Sequence, residues 1–141
     1  MNNIRGIFTN DYISLQFSTG DEEIAELFSD IGLKINSARV LVLLLRDTDF
    51  TSRDMERMCD LRQPEVSIAL TDLIKKRWVQ VVRQISENKG RPIKIYHLAR
   101  SLDDILEELK KVIIGEYEEK IQEIEHIREI LKRNDPRMRT G

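Results

Sequence analysis

The sequence predicts a mainly α-helical fold with one small β-hairpin, an α+β arrangement. Three observations predict it. Apolar residues recur at three- and four-residue steps in four segments before residue 77 and in one very long segment after residue 101. Two of these segments open on strong start signals, Thr51 with Asp54 and Ser101 with Asp104, each pair spaced for a reciprocal cap. Between them a Val-rich run is followed by Asn88-Lys89-Gly90-Arg91-Pro92 and a second apolar run, which reads as a hairpin with a basic tip.

Residues 1–20 form an N-terminal arm. Ile13, Leu15 and Phe17 alternate with Ser14 and Gln16, a period-two strand signal, and Thr9-Asn10-Asp11 suits a turn. An arm packed on the body or on a partner subunit and a partly disordered leader both fit this stretch. Asp21 to Ile31 reads as the first helix, with acidic residues in its first turn, Ile24, Leu27, Phe28 and Ile31 on one face, and Gly32 to end it. Asn36 or Ser37 then caps a second helix to about Arg46. Its Val40, Leu41, Leu43, Leu44 and Leu45 place it at the centre of the core.

Thr51 starts a short third helix with Met55 and Met58 inward. Asp60-Leu61-Arg62 makes a tight turn plugged by Leu61. Arg62 or Gln63 leads into the fourth helix, about Gln63 to Arg77, where Pro64 sits in the first turn at no cost in backbone donors. Val66, Ala69, Leu70, Leu73 and Ile74 repeat at helical spacing and should be buried, leaving Glu65, Ser67, Ile68, Thr71, Asp72 and Lys75 largely off that stripe. Trp78 to Ile85 reads as a strand, Ser86 to Pro92 as the turn, and Ile93 to about Leu98 as the returning strand.

From Ser101 a helix can run to about Arg133, spanning ~50 Å at 1.5 Å per residue. Leu102, Ile105, Leu109, Val112, Ile113, Tyr117, Ile121, Ile124, Ile127 and Leu131 form its apolar stripe, with an irregular step and a plausible kink near Gly115. The stripe is too long for a body of this size to cover, so its distal half calls for a second chain. The expected organisation is an arm (1–20), a body (21–100), a long dimerisation helix (101–133) and a tail (134–141).

Net charge is −2, but its distribution is uneven. Residues 51–100 carry eleven basic and six acidic side chains, whereas residues 1–50 carry four and eight, and residues 101–133 six and ten. Electrostatic attraction is local, because the Debye length is ~8 Å at physiological salt. Positive charge therefore gathers on the turn, the fourth helix and the hairpin. No apolar run approaches the ~20 residues needed to cross a bilayer, and the N-terminus lacks a signal-peptide pattern, so a cytoplasmic protein is expected. One cysteine, Cys59, excludes an intramolecular disulfide; it reads as a buried small residue ahead of a redox switch. His97 and His126 with one cysteine make no metal spacing, and neither metal nor cofactor is expected. Enzyme readings are poor: there is no phosphate-binding glycine loop, zinc-protease pair or nucleophile elbow.

The run Gln63-Pro64-Glu65-Val66-Ser67-Ile68-Ala69-Leu70, followed by Leu73, Trp78-Val79 and Gly90-Arg91-Pro92 before Lys94-Ile95-Tyr96, resembles winged helix-turn-helix transcriptional regulators of the MarR/ArsR/TrmB-like group. The resemblance covers roughly residues 24–100, or 21–133 with the long helix. It implies that the fourth helix is a recognition helix entering the major groove, that the hairpin is a wing, and that the long helix dimerises. The implied DNA contacts are Gln63, Pro64, Glu65, Ser67, Ile68, Thr71 and Lys75 on the helix and Asn88, Lys89, Gly90 and Arg91 on the wing, with Arg53, Arg62 and Lys76 on the backbone. Position 68 is often basic in such runs; Ile68 offers only apolar contact, for example to a thymine methyl. The expected function is a homodimeric, sequence-specific double-stranded-DNA-binding regulator, a repressor by analogy, with room for an unidentified small-molecule effector. The alternative is a winged-helix module that binds protein within a larger complex.

Overall fold

Ser18 opens the first helix of the computed structural model, which describes residues 17–46, 48–87, 91–135 and 137. The Asp21 N–H donates to Ser18 Oγ and the Ser18 N–H to an Asp21 carboxylate oxygen, both at 3.0 Å. This reciprocal cap starts α1 (Thr19–Asp30) two residues earlier than the acidic pattern suggested. The rest of the expected arm, residues 1–16, lies outside the described residues. Among the described residues five helices and two strands run in the order α1, α2 (Ile35–Leu44), α3 (Ser52–Met58), α4 (Gln63–Lys75), β1 (Val79–Glu87), β2 (Arg91–Leu98) and α5 (Leu102–Asn134).

Chain contacts divide into two units, Met1–Ser101 and Leu102–Gly141. In the first, α2 is the central element, with Val40, Leu41, Val42, Leu43 and Leu44 all buried. Its start differs from expectation: the cap position is Lys34, and neither Asn36 nor Ser37 caps it. Ser37 is instead buried. Arg39 on α2 bonds Glu22, and Arg46 just past its end bonds Asp21, at 2.8 and 2.7 Å, fastening α1 alongside. The expected inward face of α1 is corrected: Ala25 and Phe28 are buried, whereas Ile24, Leu27 and Ile31 are exposed.

Three helices end in the same way, and the endings set the turns. After α1, the Gly32 N–H bonds Ser29 O and the Leu33 N–H bonds Phe28 O. After α4, the Arg77 N–H bonds Ile74 O and the Trp78 N–H bonds Leu73 O. After α3, the Leu61 N–H bonds Glu56 O. The residue just past each cap has positive φ, +119° at Gly32, +54° at Asp60 and +65° at Arg77. Each then delivers a buried apolar residue, Leu33, Leu61 or Trp78, which is the Schellman pattern. The fourth helix therefore stops at Lys75, two residues short of the expected Arg77.

Arg77 holds a left-handed conformation that costs a non-glycine residue about 1 kcal/mol. Arg77→Gly is expected to raise stability by up to about 1 kcal/mol, read as a higher urea midpoint at unchanged slope. A lower midpoint would mean that the arginine side chain contributes more than its backbone costs.

β1 and β2 pair antiparallel from Val79↔Leu98 to Glu87↔Arg91. The register slips between Val81 and Arg83, leaving Val82 as an extra residue. This bulge interrupts the side-to-side alternation of the strand at that point. The paired strands extend past the expected turn boundaries at Ser86 and Pro92, to Glu87 and Arg91. Phe50, fully buried, adds an unexpected antiparallel bridge to Tyr96, whose N–H donates to Phe50 O at 2.9 Å.

The second unit is one helix of 33 residues, unbroken through Gly115. No helix among the described residues is long and apolar enough to cross a membrane.

Candidate nucleic-acid interface

α4 is pinned from below and open above. Val66, Ala69, Leu70 and Leu73 are buried, as their spacing required. Gln63, Pro64, Ser67, Thr71 and Lys75 are exposed, and Ile68 stands among them at 62% exposure. Ile74, expected in the core, is 40% exposed, because it lies at the edge of the buried stripe.

Both acidic residues of α4 are engaged within the chain. The Glu65 carboxylate accepts the Arg62 N–H at 2.8 Å, closing the start of the helix. Asp72 accepts from Ser37 Oγ at 2.7 Å through one oxygen and from Lys76 Nζ at 2.6 Å through the other. Partial burial acts to raise the Asp72 pKa, but the bonds from Lys76 and Ser37 outweigh it, and the carboxyl titrates below its ordinary range. Ser37 is 1% exposed, so this bond clamps α4 onto α2. Besides these two engaged carboxylates, the exposed side chains of α4 are amide, hydroxyl, apolar and ammonium groups.

The backbone candidates divide. Arg53 and Arg62 are exposed at the starts of α3 and α4. Lys76, a third candidate, spends its ammonium on Asp72 and lies 5.9 Å from the centre of the Trp78 ring. Arg91 is the first residue of β2, paired with Glu87. Asn88, Lys89 and Gly90 lie outside the described residues.

The base of the hairpin is held by a residue the sequence did not single out. Asp49, preceding the Phe50 bridge, accepts from Arg83 of β1 at 2.7 Å, and its other oxygen meets His97 Nε2 of β2 at 2.5 Å. Between α4 and β2 lies an open concavity of about 260 Å³. Val66, Leu70 and Ile74 form its floor, and Gln63, Ser67 and Thr71 its α4 rim. Ser52 from α3 and Lys94 and Tyr96 from β2 complete it. Lys94 and Tyr96 share one face of the strand by their spacing, but spacing alone does not place that face beside α4.

Cys59 is buried, and burial, acting before the opposing pull of Arg39 and Arg46, pushes its thiol up to about 12. It is a thiol rather than a thiolate at neutral pH, with Sγ 3.7 Å from Arg39 O.

The residues of the expected seam on α5 differ in burial within the single chain. Ile105 and Leu109 are buried within the single chain, and Ile113 is half-buried. Leu102, Val112, Tyr117, Ile121, Ile124, Ile127 and Leu131 are exposed, joined by Leu106, Ile114 and Ile130, which the stripe had not included.

A "possible transcriptional regulator" from Methanosarcina mazei Go1 is similar in structure, with a TM-score of 0.58 and 18% identity over 68% of this chain and 80% of that one. The fold is a winged helix-turn-helix. Weaker likenesses, with TM-scores of 0.45 and 14% identity, extend to MepR, a regulator of the Staphylococcus aureus multidrug efflux pump MepA, and to wild-type MarR from E. coli. They cover 99% of this chain and 98% of MepR, and 96% of this chain and 99% of MarR. No protein-family model and no curated protein matches the sequence. At these identities the likeness is one of fold.

Proposed function

We propose that this protein is a homodimeric transcriptional regulator that binds double-stranded DNA sequence-specifically and represses by occlusion. The observation that carries the reading is the state of α4: its two carboxylates are tied into the chain, and the face left outward holds Gln63, Ser67, Ile68, Thr71 and Lys75. A helix presenting donors, acceptors and an ammonium without free carboxylates suits a major groove lined by base edges and flanked by phosphates. The positive balance of residues 51–100 supports the same reading. In it, Gln63, Ser67 and Thr71 meet base edges or phosphates, and Ile68 packs on a thymine methyl. Arg53, Arg62, Lys75 and the wing residues Lys89 and Arg91 meet the backbone or a narrow minor groove.

The dimer rests on α5. From Tyr117 through Ile121, Ile124 and Ile127 to Leu131 its exposed apolar side chains recur at three- and four-residue steps. Pairing with a second copy removes that surface from water at about 25 cal/mol per Å². A two-fold dimer reads two half-sites about one DNA turn (~34 Å) apart.

The second reading, a winged-helix module that binds protein, is favoured by one observation, the 62% exposure of Ile68 at the middle of the outward face. Lys89→Ala combined with Arg91→Ala separates the two. The DNA reading expects weaker binding on every sequence and a salt slope shallower by about 2. Unchanged affinity and slope would remove the wing from the DNA surface.

A further inference from the structure

We propose that the concavity between α4 and β2 seats a phosphodiester of the DNA backbone, with Lys94 as its cation; this rests on the DNA-binding reading above. The argument is first topological. When a helix occupies a major groove and the adjoining hairpin reaches the neighbouring minor groove, the sugar-phosphate strand that separates those grooves must cross the seam between helix and hairpin. In this fold that seam is the concavity of about 260 Å³.

Its chemistry fits the strand that would cross it. The rim offers the hydroxyls of Ser52, Ser67 and Thr71, the amide of Gln63 and the ammonium of Lys94, and no carboxylate among the described residues lines it. Of the two carboxylates adjacent in sequence to its lining, Glu65 accepts the Arg62 N–H at 2.8 Å and Asp72 accepts from Ser37 at 2.7 Å and Lys76 at 2.6 Å. One ammonium with several neutral donors is the set that backbone phosphates take from proteins, since hydroxyls and amides share the oxygens while one cation displaces one counterion. The walls do not move freely. α4 is clamped to α2 through Ser37 and Asp72 at 2.7 Å, and β2 is bonded to Phe50 through Tyr96 at 2.9 Å. Lys94 is thus presented from a paired strand, in register with Gln84, rather than from a loop. Lys94 adds a phosphate contact beyond the cations of the recognition helix and wing tip, and that contact sets register without carrying sequence information.

The test is fluorescence anisotropy of the full chain on a random-sequence duplex across a salt series, with Lys94→Gln and Lys94→Arg beside the parent. Lys94→Gln is expected to bind about tenfold more weakly on any sequence and to lower the log–log salt slope by about 0.9. Lys94→Arg is expected to keep the slope. Lys94 is exposed, so equal melting temperatures for the variants check that folding is intact. A parent that binds with a salt slope matched by Lys94→Gln overturns the phosphate seat and leaves the DNA reading standing. A parent that binds no duplex at low salt overturns the DNA reading itself. A parent whose melting temperature rises in millimolar inorganic phosphate, an effect lost in Lys94→Gln with the DNA slope unchanged, assigns the seam to a free anion and overturns the proposal.

Discussion

The parent protein is expected to have twice the 16.6 kDa chain mass by light scattering at micromolar concentration, and Ile121→Glu combined with Ile124→Glu is expected to reduce it to the monomer. Both isoleucines are more than half exposed on α5, so the single chain loses little by the change. The pair of chains loses a great deal. Each buried isoleucine contributes about 1.5–3 kcal/mol, and the two-fold repeats every loss. The introduced carboxylates would also have to be buried unpaired. Because a dimer engages two half-sites at once, operator affinity is expected to fall by about a hundredfold or more. A parent protein that is already monomeric at micromolar concentration would contradict the seam. So would a double variant that keeps the dimer mass.

The second large effect is expected at Trp78. It is 2% exposed, and its N–H bonds Leu73 O to terminate α4, so one residue both fills the core and fixes where α4 ends. Its carbonyl also accepts the Ala99 N–H at 2.7 Å, joining the start of the hairpin to its end. Trp78→Ala is expected to cost about 3–5 kcal/mol, a large share of the ~5–15 kcal/mol that stabilises a typical domain. Since Trp78 is the only tryptophan, the urea titration must be followed by far-ultraviolet circular dichroism. A loss below about 1 kcal/mol would mean that the aromatic filling and the helix stop are separable from the stability of the body.

Much of the fold was legible because it is written in local signals. Thr51 with Asp54 caps α3 as their spacing implied, with the Asp54 N–H on Thr51 Oγ1 at 3.1 Å. Val66, Ala69, Leu70 and Leu73 went inward, and Leu61 plugged the turn. What escaped were features decided by partners distant in sequence. Ser37 looked like a helix cap, yet its hydroxyl serves Asp72 thirty-five residues away. Asp49 looked like a loop acid, yet it holds both strands of the hairpin. The left-handed backbone at Asp60 and Arg77 gave no sign in composition, unlike Gly32, because neither residue type requires it. On α1, Ile24, Leu27, Phe28 and Ile31 form one regular stripe, and periodicity alone could not say that only its Phe28 edge, beside Ala25, would be covered.

For the candidate interface, the residues of α4 were readable one by one from their place off the apolar stripe. Their electrostatic state was not. Glu65 and Asp72 count as two negative charges on a helix proposed to face phosphate, and only the hydrogen bonds from the Arg62 N–H, Ser37 and Lys76 show each of them engaged within the chain. Lys94 was hidden for the opposite reason: within a strand it looked like ordinary alternation, and it became part of a site only when β2 was laid beside α4.

The most direct test of the central claim is the binding of the purified full chain to a random-sequence DNA duplex, followed by fluorescence anisotropy as salt is raised. The account expects binding at low salt that weakens steeply, with a log–log slope corresponding to several phosphate contacts, about −0.9 for each. No binding at low salt, or binding insensitive to salt, would contradict it.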